Sequence, residues 1–300
     1  MTTAEDDVTD QERRATPRPK FDQPTLIPGT DKTRHLWGDE TSGFVLDRVW
    51  LSSERLHVLE FSLPVGGHFG HSETNPTIFA ADELLYVLEG EVLLSNPSTG
   101  ETQRAEAGEA LFFRRDTWHH GRAGGDTSVT VLEFFSPPPA TGASSVYARQ
   151  QPYLDPADVK TIDERILLNW PMQADRIRTE QRITPIRESD LAWANNGELQ
   201  LGFLASTEHL SVMRCRLRAG AAGPTERHPG EEFVLLLSGA LTVWTPEAPN
   251  ANCLHLGPGD GAVLPPQTIH RYINTGDHEA VWLCGLGPGL TSAQDIGPGR

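Results

Sequence analysis

Two histidines and two glutamates with short, regular spacing stand out in the second half of the chain. Glu226, His228 and Glu232 fall within seven residues, and His270 follows Glu232 by 38 residues. A Pro-Gly pair lets the chain turn between His228 and Glu232, just before an apolar run. Two imidazoles and one carboxylate on one face of a metal leave positions open for substrate or dioxygen. That set is typical of non-haem Fe(II) oxygenases.

Each of these residues also has a purely structural interpretation. His270 alone could be a core histidine bonded to backbone, Glu232 a surface charge at the start of a strand, and Glu226 a solvent-facing side chain. Their joint spacing favours metal ligands. Glu226 is then either a fourth ligand or a general base whose pKa is raised by burial. A second carboxylate hardens the site and suits Fe(II) or Mn(II) and, less specifically, Ni(II) or Zn(II).

Short apolar runs separated by turns surround these residues and predict β-strands. Leu56–Leu63 alternates as a half-buried strand should, and Leu84–Leu94 reads as two short strands around Gly90. The chain has 28 glycines and 23 prolines, which argues against a helical bundle. Residues 155–169 form the best helix candidate, because apolar residues recur there at spacings of three and four after a plausible helix start.

The chain also repeats itself. Three blocks recur in the same order at offsets of 154, 149 and 151 residues. The matched pairs are Leu56–Gly66 with Leu210–Gly220, Glu83–Gly90 with Glu232–Gly239, and Gly108–His119 with Gly259–His270. Glycine, glutamate and histidine agree at matched places, which apolar alternation alone would not produce. We therefore expect a tandem duplication.

The second copy resembles the two sequence motifs of the cupin superfamily. It reads G-x5-E-x-H-x3-E-x6-G from Gly220, then G-x5-P-x-Q-x2-H-x3-N from Gly259. It departs from the family at two places, since Glu226 stands where a histidine is usual and Gln267 where a glycine is usual. The resemblance implies that His228, Glu232 and His270 bind one divalent metal inside a small barrel. It leaves Glu226 as a possible fourth ligand.

The first copy matches the motifs less completely. Glu83 and His119 are retained, but no H-x-H precedes Glu83 at the family spacing. His71 lies on the loop that the first copy lengthens, and it could turn inward to complete a set with Glu83 and His119. The competing interpretation is a barrel without metal, filled by the aromatic side chains of Trp118, Phe112 and Phe113.

The resemblance implies an all-β fold with two tandem cupin-like barrels of the double-stranded β-helix, or jelly-roll, type. We expect a partly helical linker between them. The predicted division comprises an extended N-terminal arm at 1–35, a first domain at 36–140, a linker at 141–185, a second domain at 186–290 and a loose tail at 291–300.

Charge and cysteine content exclude several functional classes. The formal net charge is −16, so a nucleic-acid partner is not expected. No apolar run approaches the ~18 residues of a membrane span, and the acidic start lacks the apolar core of a secretory signal. The three cysteines form no C-x-x-C pair, which fits a reducing cytoplasm. Because two-fold symmetric dimers are the commonest soluble oligomers, we expect a homodimer.

These observations favour a metal-dependent oxygenase of the dioxygenase type, with Fe(II) preferred, acting on a small organic substrate with O2. Two alternatives stay open. One is a Mn(II)-dependent decarboxylase or isomerase of the bicupin type. The other is a non-catalytic bicupin that stores or binds a small molecule.

Overall fold

The structure is a computed structural model that describes residues 18–70, 77–79, 81–115, 117–136, 182–249 and 252–290. Its regular elements are β-strands and one short 3-10 helix at Glu188–Asp190. The all-β prediction is therefore confirmed. The predicted helix at 155–169 and the predicted tail at 291–300 lie outside the described residues. None of the described helical structure is long and apolar enough to cross a membrane.

The strands form two compact units, each with one seven-stranded and one four-stranded sheet. The first unit contains β2 (Thr33–Asp39), β3 (Gly43–Ser52), β4 (His57–Leu63), β5 (His68–Phe69), β6 (Asp82–Glu89), β7 (Glu91–Asn96), β8 (Glu101–Glu106), β9 (Ala110–Phe113), β10 (His120–Ala123), β11 (Val129–Ser136) and β12 (Thr184–Ile186). Its sheets run β12-β9-β6-β11-β4-β3-β2 and β5-β10-β7-β8.

The second unit repeats this arrangement. It contains β1 (Thr25–Ile27), β13 (Ala192–Asn196), β14 (Leu199–Ser206), β15 (Ser211–Leu217), β16 (Ala222–Glu226), β17 (Glu231–Ser238), β18 (Leu241–Trp244), β19 (Cys253–Leu256), β20 (Gly261–Leu264), β21 (His270–Asn274) and β22 (Ala280–Gly287). Its sheets run β1-β20-β17-β22-β15-β14-β13 and β16-β21-β18-β19. The same strand order in both units is what a tandem duplication produces.

The two short strands at the sheet edges come from segments that the sequence analysis assigns to connections. β1 lies within the predicted arm at 1–35 but pairs with β20 of the second unit. β12 lies within the predicted linker at 141–185 but neighbours β9 of the first unit. An uncovered edge strand leaves N–H and C=O groups unpaired, and each short strand covers such an edge.

Two interior strands, β6 and β17, carry the glutamates of the repeated motif into the units. β6 and β17 have paired strands on both sides, and the first six side chains of each are buried, on both faces of the sheet. Burial on both faces accounts for their continuous apolar runs. Glu83 and Glu232 lie near the starts of these strands and are 1% and 2% exposed, respectively. The core of each unit therefore places one carboxylate inside its barrel.

The glycine that ends the motif in each copy is required by backbone geometry. Gly90 and Gly239 have φ angles of +76° and +84°, in the left-handed region. A Cβ added there would lie 2.2 Å from the carbonyl oxygen of Ser128 and 2.6 Å from that of Glu279, respectively. Only a residue without a side chain fits this turn.

We expect Gly239→Ala to destabilise the protein more than Gly259→Ala. Gly259 has a similar φ of +86° but open space around an added Cβ, so it isolates the cost of the conformation, about 1 kcal/mol. The contact with Glu279 should add about 1–3 kcal/mol. Urea unfolding of both variants measures the difference, and equal losses would contradict the role given to this contact.

Candidate metal centre

The paired strands of the second unit bring the four candidate ligands together. Glu226 ends β16 and lies opposite His270 in the register of β16 and β21. Glu232 lies near the start of β17, and His228 lies in the turn between these strands. Ligand atoms of Glu226, His228 and His270 all lie within 4.8 Å of one another. The structure thus assembles the set that the sequence analysis predicts for this barrel.

Glu232 and His270 present unsatisfied polar atoms to each other. Glu232 Oε2 lies 3.4 Å from His270 Nε2 and 3.9 Å from His228 Nε2. Both Glu232 Oε2 and His270 Nε2 are buried without a hydrogen-bond partner. Buried polar atoms are normally paired, so two such atoms facing each other indicate space for a cation.

The remaining atoms of these two side chains are held by neighbours. His270 Nδ1 lies 3.1 Å from the Thr268 carbonyl oxygen, which fixes the proton on Nδ1 and leaves the Nε2 lone pair for a metal. The Tyr272 hydroxyl donates to Glu232 Oε1, and the Cys284 thiol donates to the same oxygen at 2.9 Å. Glu232 is therefore oriented with Oε2 toward the imidazoles.

Charges near the centre favour an ionised Glu232. Burial alone would raise the pKa of Glu232, but the imidazoles of His270 and His228 and the donors on Oε1 lower it below its ordinary value. Burial lowers the pKa of His228, so its imidazole is held neutral. A carboxylate with neutral imidazoles is the protonation state in which these groups bind a metal.

Glu226 has a different environment from Glu232. Burial and the charge of Glu232 raise the pKa of Glu226 to about 7, against the opposing effects of His270 and Asn196. The Asn196 amide donates to Glu226 Oε1 at 2.7 Å. Asn196 is a site residue that sequence reasoning missed, because it lies on β13, outside both motifs. One oxygen of Glu226 is thus anchored while the other is left for a ligand.

Gln267, the second departure from the family motif, carries a strained backbone. Its φ is +68°, which among the described residues no other non-glycine has. Its N–H donates to the carbonyl oxygen of His228 at 2.7 Å, so this conformation secures the turn that holds a candidate ligand. A glycine at this place would adopt the same conformation without cost.

The first unit retains part of the constellation. Glu83 Oε2 lies 3.7 Å from His119 Nε2, and His119 Nδ1 lies 3.2 Å from the Thr117 carbonyl oxygen, as His270 does with Thr268. Thr77 and Phe79 stand at the places of Glu226 and His228. The Phe79 ring stacks on His119 with a centroid distance of 5.7 Å. His71, the predicted third ligand, lies outside the described residues.

Glu133 on β11 completes the first-unit cluster. Ligand atoms of Glu83, His119 and Glu133 lie within 4.8 Å of one another. Burial raises the pKa of both glutamates well above the usual range. For Glu83, the neighbouring carboxylates of Glu133 and Asp82 raise it further. Burial lowers the pKa of His119 to about 4. The sequence signal for Glu133 was a single charge inside the apolar run V-T-V-L-E-F-F, which the motif comparison passed over.

A cavity opens beside this cluster in the first barrel. Its volume is about 70 Å³, and it opens to solvent. Its walls include His119, Glu133 and Phe79. Phe113 packs in the core of the same unit, with its ring 4.7 Å from that of His119.

Fold and site together define a two-barrel β-protein whose second barrel fits a divalent transition metal held by histidine and glutamate. The chain belongs to the cupin superfamily and is a bicupin. The cupin domain family matches residues 60–135 and 213–285, one segment in each unit. No curated protein matches this chain in sequence.

Solved structures share the bicupin fold along most of the chain. A protein from Pseudomonas aeruginosa described as glyoxylate-induced has a TM-score of 0.63 and 14% identity, covering 95% of this chain and 96% of its own. Oxalate decarboxylase from Lactobacillus farciminis, in complex with formate, has a TM-score of 0.59 and 16% identity, covering 91% and 88%. Oxalate decarboxylase from Bacillus subtilis, a protein with Mn(II) centres, has a TM-score of 0.57 and 16% identity, covering 96% and 84%.

We expect Tyr272→Phe to weaken metal binding by about 10–100-fold, because it removes a donor that orients Glu232. The change keeps the aromatic ring in the core. Tyr86→Phe, at a buried tyrosine of the first unit, is the matched control. Titration of chelator-treated protein with Mn(II) measures both variants. An unchanged affinity in Tyr272→Phe would mean that the hydroxyl does not support a metal ligand.

We expect Gln267→Gly to raise the free energy of unfolding by about 0.5–1 kcal/mol. Relief of a left-handed non-glycine residue outweighs the greater freedom of glycine in the unfolded chain. Gln200→Gly, at an exposed position of β14, should instead lower it, because extended backbone gains nothing from glycine. Urea unfolding compares the two, and a loss of stability in both would show that Gln267 is not strained.

Proposed function

We propose that the second barrel is the catalytic unit, and that it binds one divalent metal through Glu226, His228, Glu232 and His270. The observation that carries this proposal is the pair of buried, unpartnered atoms Glu232 Oε2 and His270 Nε2, 3.4 Å apart. Two carboxylates among the ligands favour a hard ion, and Mn(II) comes first. The proposed activity is non-oxidative cleavage of a small carboxylic acid, as in a decarboxylase.

The preference for Mn(II) and for a decarboxylase is supported by the fold likeness to oxalate decarboxylases, one of which contains Mn(II) centres. In such a reaction the bond between the carboxyl group and its neighbour breaks, CO2 leaves, and the remaining carbon keeps the electron pair and takes up a proton. A bound divalent ion would act as a Lewis acid toward the substrate's oxygens. Tyr272 and Cys284 hold Glu232 in place, and the anchored Glu226 keeps one oxygen near the substrate position.

An Fe(II)-dependent dioxygenase is the second candidate, and one contact favours it. Asn196 bonds Glu226 and can hold it away from the metal. The remaining ligands are then His228, His270 and Glu232, the two-histidine, one-carboxylate set of non-haem oxygenases. The two candidates differ in whether Glu226 binds the ion and whether O2 is consumed.

Metal analysis of protein expressed with added Mn(II) or Fe(II) tests the proposal. We expect close to one equivalent in the second barrel, and its loss in the double variant His228→Ala/His270→Ala. The double variant His255→Ala/His278→Ala changes two exposed histidines of the same unit and should retain the metal. Less than about a tenth of an equivalent of any transition metal would instead favour the non-catalytic alternative.

The reaction is tested on the metal-loaded protein with small carboxylic acids, oxalate first. Release of CO2 without O2 consumption would support the decarboxylase reading. Stoichiometric O2 uptake on catechols, gentisate-type phenols or β-diketones would replace it with the dioxygenase reading. Metal content that stays unchanged in His228→Ala/His270→Ala would move the catalytic centre to the first barrel.

A further inference from the structure

The cavity of the first barrel combines aromatic walls with buried acidic groups. Five aromatic side chains line it, and these are Trp37, Phe61, Phe69, Phe79 and Phe135. Several of these rings contact one another. Phe69 lies edge-on to Trp37 and Phe61, with centroid distances of 6.3 and 5.7 Å, and Phe79 lies 5.2 Å from Phe135. Rings in such contact form a continuous apolar wall suited to an organic body.

Of the two carboxylates that line this cavity, Glu133 is the one without a hydrogen-bond partner among the described residues. It is 7% exposed, lines the cavity, and receives no hydrogen bond from any described residue. Asp47, which also lines the cavity, has a hydrogen-bond partner, because His35 Nδ1 lies 3.2 Å from its Oδ2. Glu83 belongs to the same cluster as Glu133 but does not line the cavity, and its Oε2 is buried without a hydrogen-bond partner. A buried carboxylate is costly unless a cation or donors compensate it.

The described lining residues do not supply that compensation. They include neither lysine nor arginine. Burial, with smaller effects of the Arg18 and His35 charges, lowers the pKa of the lining histidine His57 to about 3, so its imidazole is neutral. His57 Nδ1 is also buried without a hydrogen-bond partner. The lining therefore combines acidic groups with aromatic walls, and its histidine His35 is already paired with Asp47.

We propose that this cavity binds an organic cation, an ammonium or guanidinium group on an apolar body. The cationic head would contact the Glu133 carboxylate, and the body would lie against the aromatic rings, whose faces attract cations. A bare metal ion fits less well. Phe79 stands where the second barrel has His228, so one imidazole is lost and an apolar ring is stacked on the remaining one. This site is separate from the proposed catalytic centre.

Calorimetric titration of chelator-treated, full-length protein with three probes of one shape tests the proposal. The probes are benzylammonium, benzyl alcohol and benzoate. We expect benzylammonium to bind at least tenfold more tightly than benzyl alcohol, and benzoate not to bind. Binding of benzylammonium should also change the fluorescence of Trp37, which lines the cavity.

Variants locate the binding. Glu133→Gln keeps the shape and should weaken benzylammonium at least tenfold while leaving benzyl alcohol unchanged. Glu89→Gln makes the same change at an exposed position of the first unit and should have no effect. Phe135→Leu should weaken both probes, which separates the aromatic wall from the charge. Thermal unfolding of each variant verifies that the fold is intact.

Three results would overturn the proposal. Equal affinity for benzylammonium and benzyl alcohol would reduce the cavity to an apolar pocket. No binding by folded protein would exclude this ligand class. A metal equivalent that survives His228→Ala/His270→Ala but is lost in Glu133→Gln would make the cluster of Glu83, His119 and Glu133 a metal site instead.

Discussion

Each barrel must accommodate a carboxylate that its central strand carries into the interior. β6 and β17 are interior strands of their sheets, and their burial takes Glu83 and Glu232 inside with them. A carboxylate in such a place needs donors or positive charge nearby. In the second barrel, hydroxyl, thiol and imidazole groups surround it and lower its pKa. In the first barrel burial raises its pKa, and the neighbouring carboxylates of Glu133 and Asp82 raise it further.

The two copies share one strand order, but the side chains around the buried carboxylate differ. Both copies hold a histidine whose Nδ1 faces a threonine carbonyl oxygen two residues earlier, with nearly equal distances of 3.2 and 3.1 Å. Around this shared pair, Glu226 and His228 correspond to Thr77 and Phe79, and Cys284 corresponds to Glu133. Such side-chain differences separate a compact ligand cluster from an aromatic cavity, while the strand order stays the same.

Backbone constraints explain why the motif can be read from sequence at all. The motif glycines Gly90 and Gly239 occupy left-handed turns where a side chain would strike a carbonyl oxygen. Such positions accept only glycine, so the same residue stands at the matched position of both copies. Gln267 shows the reverse, because its left-handed conformation persists without glycine and marks a departure from the motif. Such steric constraints depend on neighbouring residues only, so they can be recognised from the sequence.

The sequence by itself determined the all-β class and the duplication, and it predicted the candidate ligands Glu226, His228, Glu232 and His270, because strand periodicity and motif spacing are local properties. Only the tertiary structure decided which side chains surround them. Asn196, Cys284 and Glu133 reach the sites from strands far along the chain, and no spacing rule connects them to the motifs. The exchange of edge strands β1 and β12 was equally hidden, since hydrogen bonding between edges depends on how sheets assemble rather than on the local pattern.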